Sequence, residues 1–166
     1  LGHCLGLDHS FDEYSSSHGP GADDRPGAYG DRFDIMSWAL VNSFPTVRFG
    51  QAGPTLNTAM RDIAGWLKPE RIISGRTGLL KINDIYNPSQ PYVLKQDEFY
   101  IELRGTRAWD QGSLRPSLQV RIVDDLGGPR HSKRVSVKTI GGLPQYELGV
   151  GSSFVVGTPD RRSRQR

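Results

Sequence analysis

Two histidines near the start of the chain, His3 and His9 in LGHCLGLDHS, lie six residues apart with Gly6 midway between them. Imidazole is the commonest protein ligand for a metal, and a metal site needs its ligands held on a rigid support. A helix presents two histidines one turn apart on the same face; a third ligand must then come from beyond the helix end. Glycine adopts the left-handed conformation that ends a helix without a Cβ penalty. Gly6 can therefore turn the chain and return His9 to the side of an ion already held by His3. The spacing H-x-x-G-x-x-H reads as the second half of a three-histidine zinc site, with His3 and His9 as ligands and Gly6 as hinge.

The elements that must position these residues are legible in the hydrophobic pattern. Residues 1–7 are short, apolar and interrupted by glycine, as at the tail of a helix. Residues 8–34 are rich in Gly, Ser, Pro and Asp and read as a surface loop. That loop carries seven acidic residues (Asp8, Asp12, Glu13, Asp23, Asp24, Asp31, Asp34) against Arg25 and Arg32. In LNTAMRDIAGWL, 56–67, Leu56, Ala59, Met60, Ile63, Ala64 and Leu67 recur at helical spacing. Asn57 or Thr58 is placed to cap this helix and Pro69 to close it.

From about residue 72 the period becomes two. FYIELR, 99–104, sets Phe99, Ile101 and Leu103 opposite Tyr100, Glu102 and Arg104. LQVRIV, 118–123, sets Leu118, Val120 and Ile122 opposite Gln119 and Arg121. RVSVKTI and SFVV behave alike, with GLLKI and YVL as shorter candidates. Short strands between Gly, Pro and Asn turns predict a small antiparallel sheet or sandwich. The fold class is α+β, with a boundary near residues 70–77. Residues 1–71 form one part, 78–157 a β-rich module, and 158–166 a disordered basic tail.

Composition narrows the function classes. The net charge is +3, but the last seven residues, DRRSRQR, carry all of it; the rest of the chain holds 17 basic and 17 acidic groups. A nucleic-acid reader carries its basic residues as a patch on folded surface, so no nucleic-acid partner is expected. No stretch approaches the roughly 18–20 apolar residues that span a bilayer. Cys4 is the only cysteine, so no internal disulfide can form. The chain starts with Leu and has no basic-then-apolar leader at its start, as expected of a fragment or a processed chain.

His3, Gly6 and His9 match the last three fixed positions of H-E-x-x-H-x-x-G-x-x-H, and the chain resembles the metzincin zinc metallopeptidases that carry this motif. The first His and the Glu fall just before Leu1, so the chain is expected to begin inside the motif. YGDRFDIMSWA, 29–39, resembles the turn in which metzincins place a methionine beneath the metal, here Met36. Together with LNTAMRDIAGWL, these segments resemble the gametolysin-like branch; FYIELRGTRAWDQG and LQVRIVDD look like the β-rich part that follows in such proteases. The resemblance implies the C-terminal part of a metzincin catalytic domain, truncated within the motif. It implies zinc as cofactor, a peptide or protein as substrate, and secretion from the cell. It also implies hydrolysis of the peptide bond by zinc-activated water, with the Glu before His3 as general base. Residues 1–166 alone are then expected to be inactive, because one ligand and the base are missing. The alternative is a non-catalytic protein- or glycan-binding module joined to a degenerate protease domain.

Other chemistry-bearing residues have plainer readings. His18, in the acidic loop, reads as solvated, and His131 as a surface loop residue. Cys4 reads as a buried structural thiol, and Trp38, Trp66 and Trp109 as core anchors. The acidic loop offers carboxylate oxygens of the kind that bind Ca2+; the competing reading is a solvated loop. Residues 37–55 are expected to shape substrate selection, with Phe44, Val47 and Phe49 either lining an apolar pocket or joining the core.

Overall fold

The computed structural model describes residues 2–12, 31, 33–37, 42–75, 78–87, 89–124, 131–134, 137–139, 144–145, 148 and 154–155. His18, Trp38, the loop acids Glu13, Asp23 and Asp24, and the tail 158–166 lie outside the described residues.

The chain begins with a 3-10 turn at Gly2–Leu5 and the short strand β1, Phe11–Asp12. A hairpin follows, made of β2, Phe44–Thr46, and β3, Gly50–Ala52. The single α-helix among the described residues is α1, Thr58–Ile63. Six strands come after it: β4, Ile72–Ser74; β5, Val93–Gln96; β6, Phe99–Arg104; β7, Ser117–Asp124; β8, His131–Arg134; and β9, Val137–Thr139. The last two are β10, Pro144–Gln145, and β11, Phe154–Val155. Helix and strands together make the chain α+β. Among the described residues no helix is long and apolar enough to cross a membrane.

The helix is shorter than its hydrophobic period suggests. Asn57 caps its start, its side chain accepting the Met60 N–H at 2.9 Å. Gly65, at φ +72°, ends it. The Gly65 N–H donates to the Asp62 carbonyl and the Trp66 N–H to the Arg61 carbonyl, a pair of bonds that closes a helix at a left-handed residue. The helix thus stops before Pro69 can act.

Six strands form one sheet in the order β1-β8-β7-β6-β5-β4. The pairs β5–β6, β6–β7 and β7–β8 are antiparallel, whereas β1–β8 and β4–β5 are parallel. The sheet is therefore mixed, not purely antiparallel as the strand pattern suggests, because neither edge strand is joined to its neighbour by a hairpin: β1 meets β8 across most of the chain, and residues 75–92 separate β4 from β5. GLLKI forms no strand. His131, expected in a loop, opens β8.

The alternation in β6 and β7 separates two covered faces. Phe99, Ile101, Val120 and Ile122 pack with Leu148 on one side. On the other, Tyr100 and Val93 pack with Ala59 of α1. Glu102, Arg104, Gln119 and Arg121 lie on this second face and are fully buried. A third cluster, Leu7, Leu56 and Met60, with Met36, Ile63 and Ala64 against it, joins the histidine segment to α1. Full burial of Met60 contributes about 2 kcal/mol.

Three expectations about single residues are corrected. Cys4 is exposed, because the turn that carries it lies outside the core. Trp66, 54% exposed just past the helix-ending glycine, and Trp109, 45% exposed in a surface 3-10 turn, are not core anchors. Asp8, Asp31 and Asp34 of the acidic stretch are buried, not solvated: the neighbouring His9 N–H meets Asp8, and donors from distant elements, Arg121 and the Asn57 N–H, meet Asp31 and Asp34.

Candidate metal centre

His3 sits in the 3-10 turn, and the Gly6 N–H donates to its carbonyl at 3.0 Å. Gly6 takes φ +75°, a left-handed backbone that an L-residue reaches only with strain. Beyond this bend the chain doubles back. His9 Nε2 comes to 3.1 Å from His3 Nε2, with the rings near perpendicular and their centroids 4.7 Å apart.

Two features suit this pair to a cation. His3 Nδ1 lies 2.9 Å from the Leu7 carbonyl. That carbonyl only accepts, so Nδ1 carries the proton and the Nε2 lone pair points toward His9. Two nitrogens at about 2.0–2.1 Å from a tetrahedral zinc stand about 3.3 Å apart. The observed separation is close to that value. The residues present fit two positions of a zinc site. Among the described residues no third His, Cys, Asp or Glu completes a cluster with them.

The support beneath the pair is polar and buried. Asp8 Oδ1 accepts the His9 N–H at 2.9 Å. The Ser10 N–H donates to the Met36 carbonyl at 3.1 Å, tying the residue after His9 to the methionine turn. That turn is built by two aspartates. The Phe33 N–H donates to Asp31 Oδ1 at 3.1 Å and the Met36 N–H to Asp34 Oδ1 at 2.7 Å. Met36 itself lies against the cluster of Leu7, Leu56 and Met60.

Sequence reasoning missed the charge network behind the turn. Arg121 pairs with Asp31 and with Glu102, its Nε reaching Glu102 Oε1 at 2.8 Å. Glu102 Oε2 accepts the Thr58 N–H at 2.9 Å, holding the first turn of α1. Arg104 pairs with Glu102 and Asp110 and donates to the Thr55 carbonyl at 3.2 Å. The Asn57 side chain, foreseen only as a cap, also donates to Ser132 Oγ at 2.7 Å and Ser10 Oγ at 3.4 Å. Four buried carboxylates, Asp31, Asp34, Glu102 and Asp110, thus share the space around two buried guanidinium groups. Burial pushes the Asp34 carboxyl up to about 6, against the lowering effect of the Asn57 and Met36 N–H groups and Arg104.

The fold brings together His3, Gly6, His9 and Met36. Asp31 and Asp34, two of the acids considered for Ca2+, have their oxygens engaged by backbone N–H groups and Arg121. No protein-family model, curated protein or solved structure matches the chain.

Proposed function

We propose that the chain is the C-terminal part of a metzincin-like zinc metalloendopeptidase catalytic domain, of the gametolysin-like branch, that continues into a β-rich part and acts outside the cell on peptide or protein substrates. The observation that carries this reading is the 3.1 Å approach of His3 Nε2 and His9 Nε2 across the Gly6 bend. In water two imidazoles gain little by meeting; a shared cation gives the arrangement a purpose. The resemblance of LGHCLGLDHS and YGDRFDIMSWA to the metzincin motifs supports the choice of zinc.

In this reading His3 and His9 would be two of the metal's ligands. The Leu7 carbonyl fixes the His3 tautomer, and Asp8 fixes the backbone that delivers His9. Met36 packs against Leu7, Leu56 and Met60. Zinc bound there supplies a Lewis acid for a peptide carbonyl and acidifies water for the attack. The reading requires a third histidine and a glutamate base outside residues 1–166.

The test compares this chain with a longer one that includes the preceding residues. Zinc content is measured by atomic absorption and turnover with a quenched fluorescent peptide. The longer chain is expected to bind one zinc and cleave, His3→Ala and His9→Ala are each expected to lose both, and residues 1–166 are expected to be inactive. A longer chain without zinc, or turnover by the shorter one, rejects the reading.

A further inference from the structure

The β2–β3 hairpin and residues 105–116 form one surface. Gly112 lies against the Asn42 carbonyl, and Gly53 against the Trp109 carbonyl and the Phe44 ring, too close in each case for a Cβ. The Thr55 N–H donates to Asp110 Oδ1 at 3.2 Å. On the outside of this joint stand Phe49 and Trp109, 57% and 45% exposed, with ring centroids 5.8 Å apart. The Arg48 guanidinium lies 5.2 Å from the centre of the Phe49 ring, and the neighbouring Val47 is fully exposed. Large apolar side chains exposed together mark an interaction site more than singly scattered ones do.

Two further observations say what would sit there. In residues 44–55 and 105–116 the only carboxylate is Asp110, which is buried and paired with Arg104. Arg48, Arg107 and Arg115 are exposed, and of these only Arg107 has a carboxylate partner among the described residues, Asp84 at 3.1 Å. The surface is therefore aromatic with a positive rim. The hairpin is also a sheet of just two strands, so one edge of β3 has no strand partner among the described residues.

We propose that this face binds an extended acidic peptide segment, added along β3, whose aromatic side chain packs on Phe49 and Trp109 while its carboxylates face the arginine rim. Backbone pairing at a free strand edge supplies affinity, and the side-chain contacts supply selectivity. The free edge favours a peptide over a lipid surface, since N–H and C=O groups find no partner in hydrocarbon. Charge complementarity sets the sign of the ligand. None of these residues contributes to the histidine pair, so the test below reads this face without zinc.

The test is fluorescence anisotropy with the 166-residue chain in chelator, so that zinc plays no part. The probes are a labelled peptide alternating Glu and Tyr, its Lys–Tyr and Glu–Ser counterparts, and phosphatidylserine vesicles. The Glu–Tyr peptide is expected to bind, more weakly as salt rises, and its counterparts roughly tenfold less well. Arg48→Glu and Trp109→Ala are each expected to weaken binding roughly tenfold. Val47→Glu, at a position that touches no core, is expected to weaken it as well. The proposal is overturned if Glu–Tyr fails to bind, if Lys–Tyr binds as well, if all three variants bind normally, or if only the vesicles bind.

Discussion

The Asn57 N–H donates to Asp34 Oδ2 at 2.5 Å, while the other oxygen of that carboxylate accepts the Met36 N–H at 2.7 Å. One buried side chain therefore joins the cap of α1 to the methionine turn. Its carboxyl, ordinarily near 3.8, is pushed up to about 6 by burial. The folded protein then holds this proton more tightly than the unfolded chain does. The stability it contributes is full below about pH 3.8 and is lost as the pH rises through about 6. A gap of that size is worth about 3 kcal/mol. Asp34→Asn removes the titration. Urea unfolding at about pH 4 and about pH 7.5 should show the stability of the native chain relative to Asp34→Asn falling by about 2–3 kcal/mol. A difference that does not change with pH rejects this account.

Glu102 joins both buried arginines to the start of α1. Arg121→Met leaves Asp31 and Glu102 facing each other's charge without the guanidinium between them. The expected loss is about 3–5 kcal/mol, the usual cost of breaking a buried ion pair from one side. Adding Asp31→Leu to Arg121→Met should recover part of it, and a double-mutant cycle in urea measures how much.

Among the described residues no heavy atom lies within 4 Å of where a Cβ on Gly6 would stand, so Gly6→Ala meets no clash with them. Only its φ of +75° opposes the change. The expected loss is about 1–2 kcal/mol, and Gly6→Asn should cost less because asparagine tolerates the left-handed region. In the longer chain, zinc affinity should fall with Gly6→Ala and partly return with Gly6→Asn. Isothermal titration of the two variants separates this from a uniform loss of folding.

The two halves of the chain meet through β1–β8, β4–β5 and the pair Asp31–Arg121. Residues 78–166 expressed alone should therefore lack a cooperative unfolding transition by circular dichroism. Co-expressed with residues 1–74, they should co-purify with them and regain it. A stable, independent 78–166 would show that the sheet can dispense with its edge strands.

Local pattern made the short-range features readable. The Asn57 cap, the strand alternation of 99–104 and 118–123, and the histidine–glycine spacing all depend on residues within one or two turns of each other. The burial of Glu102, Arg104 and Arg121 was not readable. Alternation separates two faces of a strand, but a polar face looks the same whether it meets water or opposite charge. Arg121 finds its partner Asp31 at a separation of 90 residues, beyond the reach of any local signal. The exposed tryptophans follow the same logic: their size suggests core, but Gly65 and the turn at Ala108–Asp110 carry them outward.

That long separation has a consequence for how the protein is made. The ribosome completes Asp31 ninety residues before Arg121. Until β7 emerges, the aspartate that shapes the methionine turn lacks its Arg121 partner. The buried ion pair behind that turn therefore closes only after most of the polypeptide has been translated.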